Sequence, residues 1–235
     1  MIDYIVPILV TIIVMVACYV FLRSADGYMI VGNVKDGKQD KNYRNSIPKS
    51  VNRPPGIEFS YTGWLRIDDF AYRYGERKVI FVKGSADLSV ACPALVIDGN
   101  TNSLLVIVDT FGAQETIPIV SVPANKWLHV TINVNQEAID VFINGTLYGH
   151  HILTQLPKQN SGSVLNSPSG GFAGKIVQLE YHPQVLSASE IIALARKNPS
   201  TGEADQVFPT KGDTFLSTLF PSKFSDYFDI SWFNQ

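Results

Sequence analysis

The chain has 235 residues, 46% of them hydrophobic and 17% charged, and a formal net charge of −2. That length suits one domain of about 140 residues with flanking segments, and without a block of basic residues nothing points to nucleic acid as a partner. Of the two cysteines, Cys18 lies in an apolar run and Cys92 stands alone in the remainder. A domain stapled by disulfides is thereby excluded, and a reducing compartment is favoured.

Residues Tyr4 to Leu22 carry no charge between Asp3 and Arg23. At about 1.5 Å per residue, such a run nearly matches a hydrocarbon core of roughly 30 Å. Tyr4 and Tyr19 stand near its two ends, where amphipathic rings favour the interface, and Pro7 falls in the first turn, where a missing N–H costs little. A cleaved signal peptide fits poorly, because no basic segment precedes the run and no small-residue cleavage site follows. Residues 1–23 are therefore expected to be a transmembrane anchor. Arg23, Lys35, Lys38, Lys41 and Arg44 all follow it and no basic residue precedes it. The positive-inside rule then makes the chain a single-pass protein with its C-terminal domain on the cytosolic face. Asn144-Gly145-Thr146 is formally a glycosylation sequon, but Asn-Gly is also a strong two-residue hairpin signal.

Residues 24–55 are rich in Gly, Asn, Lys, Ser and Pro and read as a flexible tether. Beside a membrane, its basic residues Lys35, Lys38, Lys41 and Arg44, with Arg23, would attract anionic headgroups at about 1 kcal/mol each; a merely solvated linker is the bland alternative. From Gly56 the pattern changes to short β-like runs. Val79–Val82, Ala94–Ile97 and Leu104–Val108 are continuously apolar, as in strands covered on both faces. Trp127 to Val134 alternates, with Leu128, Val130, Ile132 and Val134 on one side and His129, Thr131 and Asn133 on the other. Ala138 to Ile143 alternates again and ends at the Asn144-Gly145 turn, and Lys175 to Tyr181 forms a further strand. Ser187-Ala-Ser-Glu190 is a capping box that opens a short helix. Residues 56–197 should then form one mostly-β domain, a sandwich or barrel.

The order Trp127-Leu-His-Val-Thr-Ile, Ile139-Asp-Val-Phe-Ile-Asn-Gly, Gly174-Lys-Ile-Val-Gln-Leu-Glu-Tyr and Leu186-Ser-Ala-Ser-Glu-Ile resembles the laminin G-like members of the concanavalin A-like lectin/glucanase superfamily. The likeness covers roughly residues 56 to 197. It implies a two-sheet antiparallel jelly roll with one short C-terminal helix, used for binding sugars or proteins, sometimes with calcium, and in some branches for glycoside hydrolysis.

The residues speak against hydrolysis. Retaining glycosidases hold two carboxyl groups about 5.5 Å apart, and the glucanase branch places them with E-x-D-x-E on one strand face. No such run exists here: Glu137 and Asp140 are three apart, and Glu180 lacks an acidic neighbour. No catalytic residue, nucleophile motif or phosphate loop is recognisable, so the chain is not expected to be an enzyme. His150 and His151 are adjacent on a strand and should point to opposite faces, unable to share an ion. Asp98, Asp109 and Asp140 are the calcium candidates if they gather at a rim; otherwise no cofactor is implied.

Residues 198–235 hold Phe224, Tyr227, Phe228, Trp232 and Phe233 within ten positions. Such aromatics seek burial, either on the chain's own domain or on a partner, where aromatic anchors dominate binding energy. Three function classes follow: a structural or interaction protein that holds partners near a bilayer, a lectin, and, last, a hydrolase. A short N-terminal span carrying a jelly roll on its cytosolic side also resembles, in organisation and not in motif, membrane-linked minor capsid proteins of large icosahedral DNA viruses. That likeness implies a place in the virion, between an internal membrane and capsid proteins.

Overall fold

The computed structural model describes residues 11–16, 27–39, 41–43, 47–48, 50–53, 56–197 and 199. Its strands are, in chain order, β1 (Tyr28–Val31), β2 (Lys35–Asp36), β3 (Lys41–Tyr43), β4 (Val51–Arg53), β5 (Gly56–Asp69), β6 (Lys78–Gly84) and β7 (Ala91–Ile97). They continue with β8 (Leu104–Val108), β9 (Glu115–Ile119), β10 (Trp127–Asn135), β11 (Ala138–Ile143), β12 (Thr146–Ile152), β13 (Val164–Asn166) and β14 (Ala173–His182). A helix, Ala188–Arg196, follows. The strands form two antiparallel sheets. The first, sheet A, has the order β1-β14-β5-β10-β11-β12, with β2 on β14 and β4 on β5; the second, sheet B, has the order β3-β13-β6-β7-β8-β9.

Period-two alternation decides which residues enter the core. In the β5–β10 pair, Phe59, Tyr61 and Leu65 lie opposite Val134, Ile132 and Leu128, and all six are buried between the sheets. The intervening pairs Ser60–Asn133, Thr62–Thr131 and Trp64–His129 face outward. Sheet B contributes Ile80, Phe81, Cys92, Leu95, Ile97, Leu104, Val106 and Val108 to the same core. Each fully buried aliphatic or aromatic side chain adds about 1.5–3 kcal/mol. The Cys92 thiol is unpaired and buried, and burial pushes its pKa up to about 12. The apolar runs of β6, β7 and β8 are buried on their outer face too: Val79, Val82, Ala94, Val96, Leu105 and Ile107 form a second cluster there.

The hairpin at Asn144-Gly145 takes positive φ at both residues, 51° and 84°, as a type I′ turn requires. Asn144 Oδ1 also accepts the His129 backbone N–H at 2.9 Å. A Cβ on Gly145 would meet Ala195 and Ile192 at 3.3 Å, so glycine here admits the helix as well as the turn. The helix begins where expected. Ser187 caps it, with the reciprocal Glu190 contact present, and Ile191 and Ala195 form its buried side.

One expectation about the flanks changes. Residues 24–55 are not a plain tether, for β1 to β4 lie within them and pair with β14, β13 and β5. Short strands completing sheet edges need little apolar periodicity, because most of their stability comes from the strand they join. Of the anchor, residues 11–16 are helical and exposed, and no helix among the described residues is long and apolar enough to cross a membrane. The remainder of the 4–22 run, Arg23, Arg44 and the aromatic residues Phe224, Tyr227, Phe228, Trp232 and Phe233 lie outside the described residues.

Candidate binding surfaces

Three surfaces offer functional chemistry: the outer face of sheet A and the two loop rims at the ends of the sandwich. One rim, called proximal here, holds the start of β1 and the loops 85–90, 109–114 and 153–163. The distal rim holds the loops 70–77, 98–103, 120–126 and 167–172.

On the outer face of sheet A lie Ser60, Thr62, Trp64, Trp127, His129, Thr131 and Asn133, each at most 4% exposed. The chain leading into the helix covers two of them: Asn133 Nδ2 donates to the Leu186 carbonyl at 2.8 Å, and Ser60 Oγ donates to the Gln184 carbonyl at 2.8 Å; Trp64 and Trp127 pack instead with Val177 and Val34. Thr62 Oγ1 bonds both His129 Nε2 at 2.9 Å and Thr131 Oγ1 at 3.0 Å. The Trp64 ring stands edge-on to the imidazole, centroids 5.1 Å apart. Burial lowers the His129 pKa to about 4, so the ring is neutral. His129 Nδ1, Trp127 Nε1 and Asn133 Oδ1 find no hydrogen-bond partner among the described residues. The sequence shows the alternation of His129, Thr131 and Asn133 with the core positions; that this polar side is also buried it does not show.

Carboxylates on this face are scattered. Asp140 and Glu180 are separated by β10 and β5, about 14 Å at the usual strand spacing. Glu180 pairs with Thr62, four residues along β5 from Glu58, a further distance of about 13 Å. His150 and His151 point apart as expected, His150 Nδ1 to Asp140 Oδ1 at 2.5 Å and His151 Nε2 to Glu115 Oε2 at 2.7 Å. The second contact joins edge strand β12 of sheet A to edge strand β9 of sheet B. Glu115 loses solvation there, yet bonds from His151 and Thr154 hold its pKa below the usual carboxylate value.

The calcium candidates do not come together. Asp98 follows β7 at the distal rim and accepts the Thr101 N–H and hydroxyl, whereas Asp109 follows β8 at the proximal rim and accepts the Ala91 N–H. Asp140 is on the other sheet. Strand direction separates Asp98 from Asp109, since β8 carries the chain from one rim to the other.

The distal rim carries Tyr74, 70% exposed, and the half-buried Tyr72. The Tyr72 hydroxyl donates to the Gly170 carbonyl at 3.2 Å, and Lys38 Nζ lies 4.8 Å from its ring centroid. Arg73 ties the loop down through Glu76 and the Ser169 carbonyl. Beneath it, the buried Lys78 donates to the Phe70 carbonyl at 3.1 Å, and desolvation lowers its pKa. Lys35, paired with Ile176, and Lys38 thus stand toward the distal rim, away from the start of β1. Lys41 lies in β3, opposite Asn166.

The chain belongs to the Concanavalin A-like lectin/glucanases superfamily, whose laminin G-type family model matches residues 39–192. Among solved structures it is similar to the receptor binding domain of botulinum neurotoxin D, with a TM-score of 0.56 and 13% identity over 73% of this chain and 52% of that one. It is also similar to a structure of botulinum neurotoxin type C, which enters cells through interaction with two ganglioside molecules, at TM-score 0.51 and 15% identity over 72% of this chain and 50% of that one. The binding domain of botulinum neurotoxin DC in complex with rat synaptotagmin II gives TM-score 0.50 and 14% identity over 72% and 51%. The chain spans about half the length of these domains, and at such identities the likeness is one of fold. No curated protein matches the chain.

Proposed function

We propose that the chain is a non-catalytic binding domain held beside a bilayer by its N-terminal apolar run, there to retain a partner protein. The observation that carries this reading is the outer face of sheet A. A cleft with paired carboxylates would need that face open, and here Ser60, Thr62, His129, Thr131 and Asn133 are buried, Asn133 against the chain that leads into the helix. What remains available are the rims, whose exposed side chains suit protein contacts. Orientation follows the positive-inside rule, with the sandwich cytosolic. The link between an internal viral membrane and capsid proteins belongs to this reading, and its support is the order of anchor, sandwich and aromatic tail. In that setting Phe224, Tyr227, Phe228, Trp232 and Phe233 would be the docking aromatics. The test is crosslinking in intact membranes followed by identification of bound proteins, with and without residues 200–235. Recovery of the same partners from both chains would remove the tail from the reading, and recovery of none from either would remove the partner protein itself.

A glycan partner is the second reading, favoured by Tyr74 and Tyr72 beside Arg73 on the distal rim. Aromatic faces with adjacent polar groups suit a sugar ring. The ganglioside and synaptotagmin contacts of the toxin domains concern chains about twice as long and carry no ligand over to this one. A glycan array probed with the full chain and with Tyr74→Ala decides: signals that survive the substitution would place any sugar elsewhere.

A further inference from the structure

Phe111, Ile152, Leu156 and Val90 are 68%, 70%, 48% and 41% exposed, and all four lie at the proximal rim. They are held on a rigid tip. The Phe111 N–H donates to the Leu156 carbonyl at 3.0 Å, and Thr110 bridges Pro157. Asp109 fastens loop 109–114 to β7 through the Ala91 N–H at 2.7 Å and closes the loop on itself through Gln114 Nε2 at 2.8 Å, while the Lys158 N–H donates to the Asp109 carbonyl at 2.7 Å. Gln114 also donates to the Leu88 carbonyl at 2.9 Å. Three loops and the end of β12 therefore present apolar side chains at one rim, and such patches mark membrane or protein contacts.

The strand registers say which. β1 starts at Tyr28, opposite Tyr181, which is opposite Tyr61. From the level of Tyr61 to Glu58 at the proximal end of the pairing is about 10 Å, and to Asp69 at the distal end about 27 Å in the other direction. From Leu22 to Tyr28 the chain can reach at most about 20 Å. That length lets the proximal rim meet the headgroups and keeps the distal rim away from them.

We infer that the proximal rim is a lipid-docking surface, with Phe111, Leu156, Ile152 and Val90 seated in the interfacial layer of the bilayer that holds the anchor. This rests on the reading of residues 4–22 as a retained span. The exposed Asp87 and Glu137 flank the patch together with the exposed Lys158, so the charge around it is mixed and the contact rests on the apolar side chains without requiring anionic lipid.

The test uses the full chain reconstituted in phosphatidylcholine vesicles, in a Cys18→Ser background. Cys92 is buried and does not take the label. A fluorescent probe is attached at Phe111→Cys or, as the distal control, at Tyr74→Cys. Brominated acyl chains should quench the probe at position 111 at least about twofold more than at 74, because interfacial side chains sit at the acyl boundary. Equal quenching at the two positions, in a chain that resists alkaline carbonate extraction, leaves the anchor standing and overturns the docking. Release of the chain by carbonate overturns the anchored reading and this inference with it. Quenching at 111 that appears only with anionic lipid would assign the contact to basic residues and overturn the apolar surface.

Discussion

The outer faces of the two sheets are both buried at their central strands, and there they are built from opposite chemistry. Sheet B covers its side with Val79, Val82, Ala94, Val96, Leu105 and Ile107, which need only to be shielded from water. Sheet A presents Ser60, Thr62, His129, Thr131 and Asn133, whose burial costs free energy at every polar atom left without a partner. The first face tolerates any apolar cover. The second is specific to one, the helix with its lead-in at Gln184 and Leu186, because those two carbonyls accept from Ser60 and Asn133. A polar face of a sandwich is often left to water; here part of it is bonded by the chain that leads into the helix.

The comparison is tested most severely by large truncations on each face. Trp64→Ala should lower stability by about 3–5 kcal/mol and Ile107→Ala by about 2–5 kcal/mol, the usual costs for buried positions, read as shifts of the urea midpoint. A loss of only a few tenths for Ile107→Ala would mean that the outer side of sheet B faces water and would break the parallel. The next effect is acid sensitivity on sheet A alone. His129 has a folded pKa lowered to about 4, against about 6.5 when unfolded. Below pH 6.5 the unfolded chain binds the extra proton, so the stability contributed by the neutral ring is complete above 6.5 and is lost as the pH falls towards 4. About 3 kcal/mol should disappear across that window, and His129→Gln should flatten the pH profile by one proton.

Smaller still is the cap. Ser187→Ala removes the reciprocal bonds with Glu190 and should cost about 1 kcal/mol. If sheet A depends on its roof, this variant will also speed amide exchange at Thr131 and Asn133, while Val96 in sheet B stays protected. Least affected should be Tyr74→Ala, which leaves melting within about 0.5 kcal/mol of the parent because the residue is a surface position. A larger change would show that the distal loop is part of the fold and not merely displayed by it.

Much of this architecture is legible in the residues. Continuous apolar runs gave β6, β7 and β8 with both faces covered, alternation gave β10 and β11 with their register side, and Asn-Gly and the capping box located the hairpin and the helix. The strands β1 to β4 were illegible because each has at most four residues, and β1, β2 and β3 join partners that lie far along the chain. Burial of His129 was illegible for a related reason, since the residues shown against it, Thr62 and Trp64, stand on a strand far earlier in the chain. The rims were harder again: the separation of Asp98 from Asp109 and the grouping of Phe111 with Leu156 follow from strand direction, which composition does not carry. Exposure of Phe111 and Tyr74, the observation most useful for function, has no sequence signal at all, because an aromatic residue in a loop is as often an inward plug as a displayed ring.

The buried thiol of Cys92 gives the molecule a clock. A cysteine that is 2% exposed, with its pKa pushed up to about 12, offers almost no thiolate to a reagent at neutral pH. It reacts when β7 leaves the core, an event that exposes the sandwich as a whole. With Cys18→Ser, the labelling rate at Cys92 becomes a measure of how often the domain opens, proportional to the opening equilibrium when closing is fast and equal to the opening rate when closing is slow. The same measurement can be made in a crude membrane suspension, without purification, and repeated after any candidate partner is added. A partner that grips the folded sandwich will slow the clock by the factor by which it stabilises the closed state.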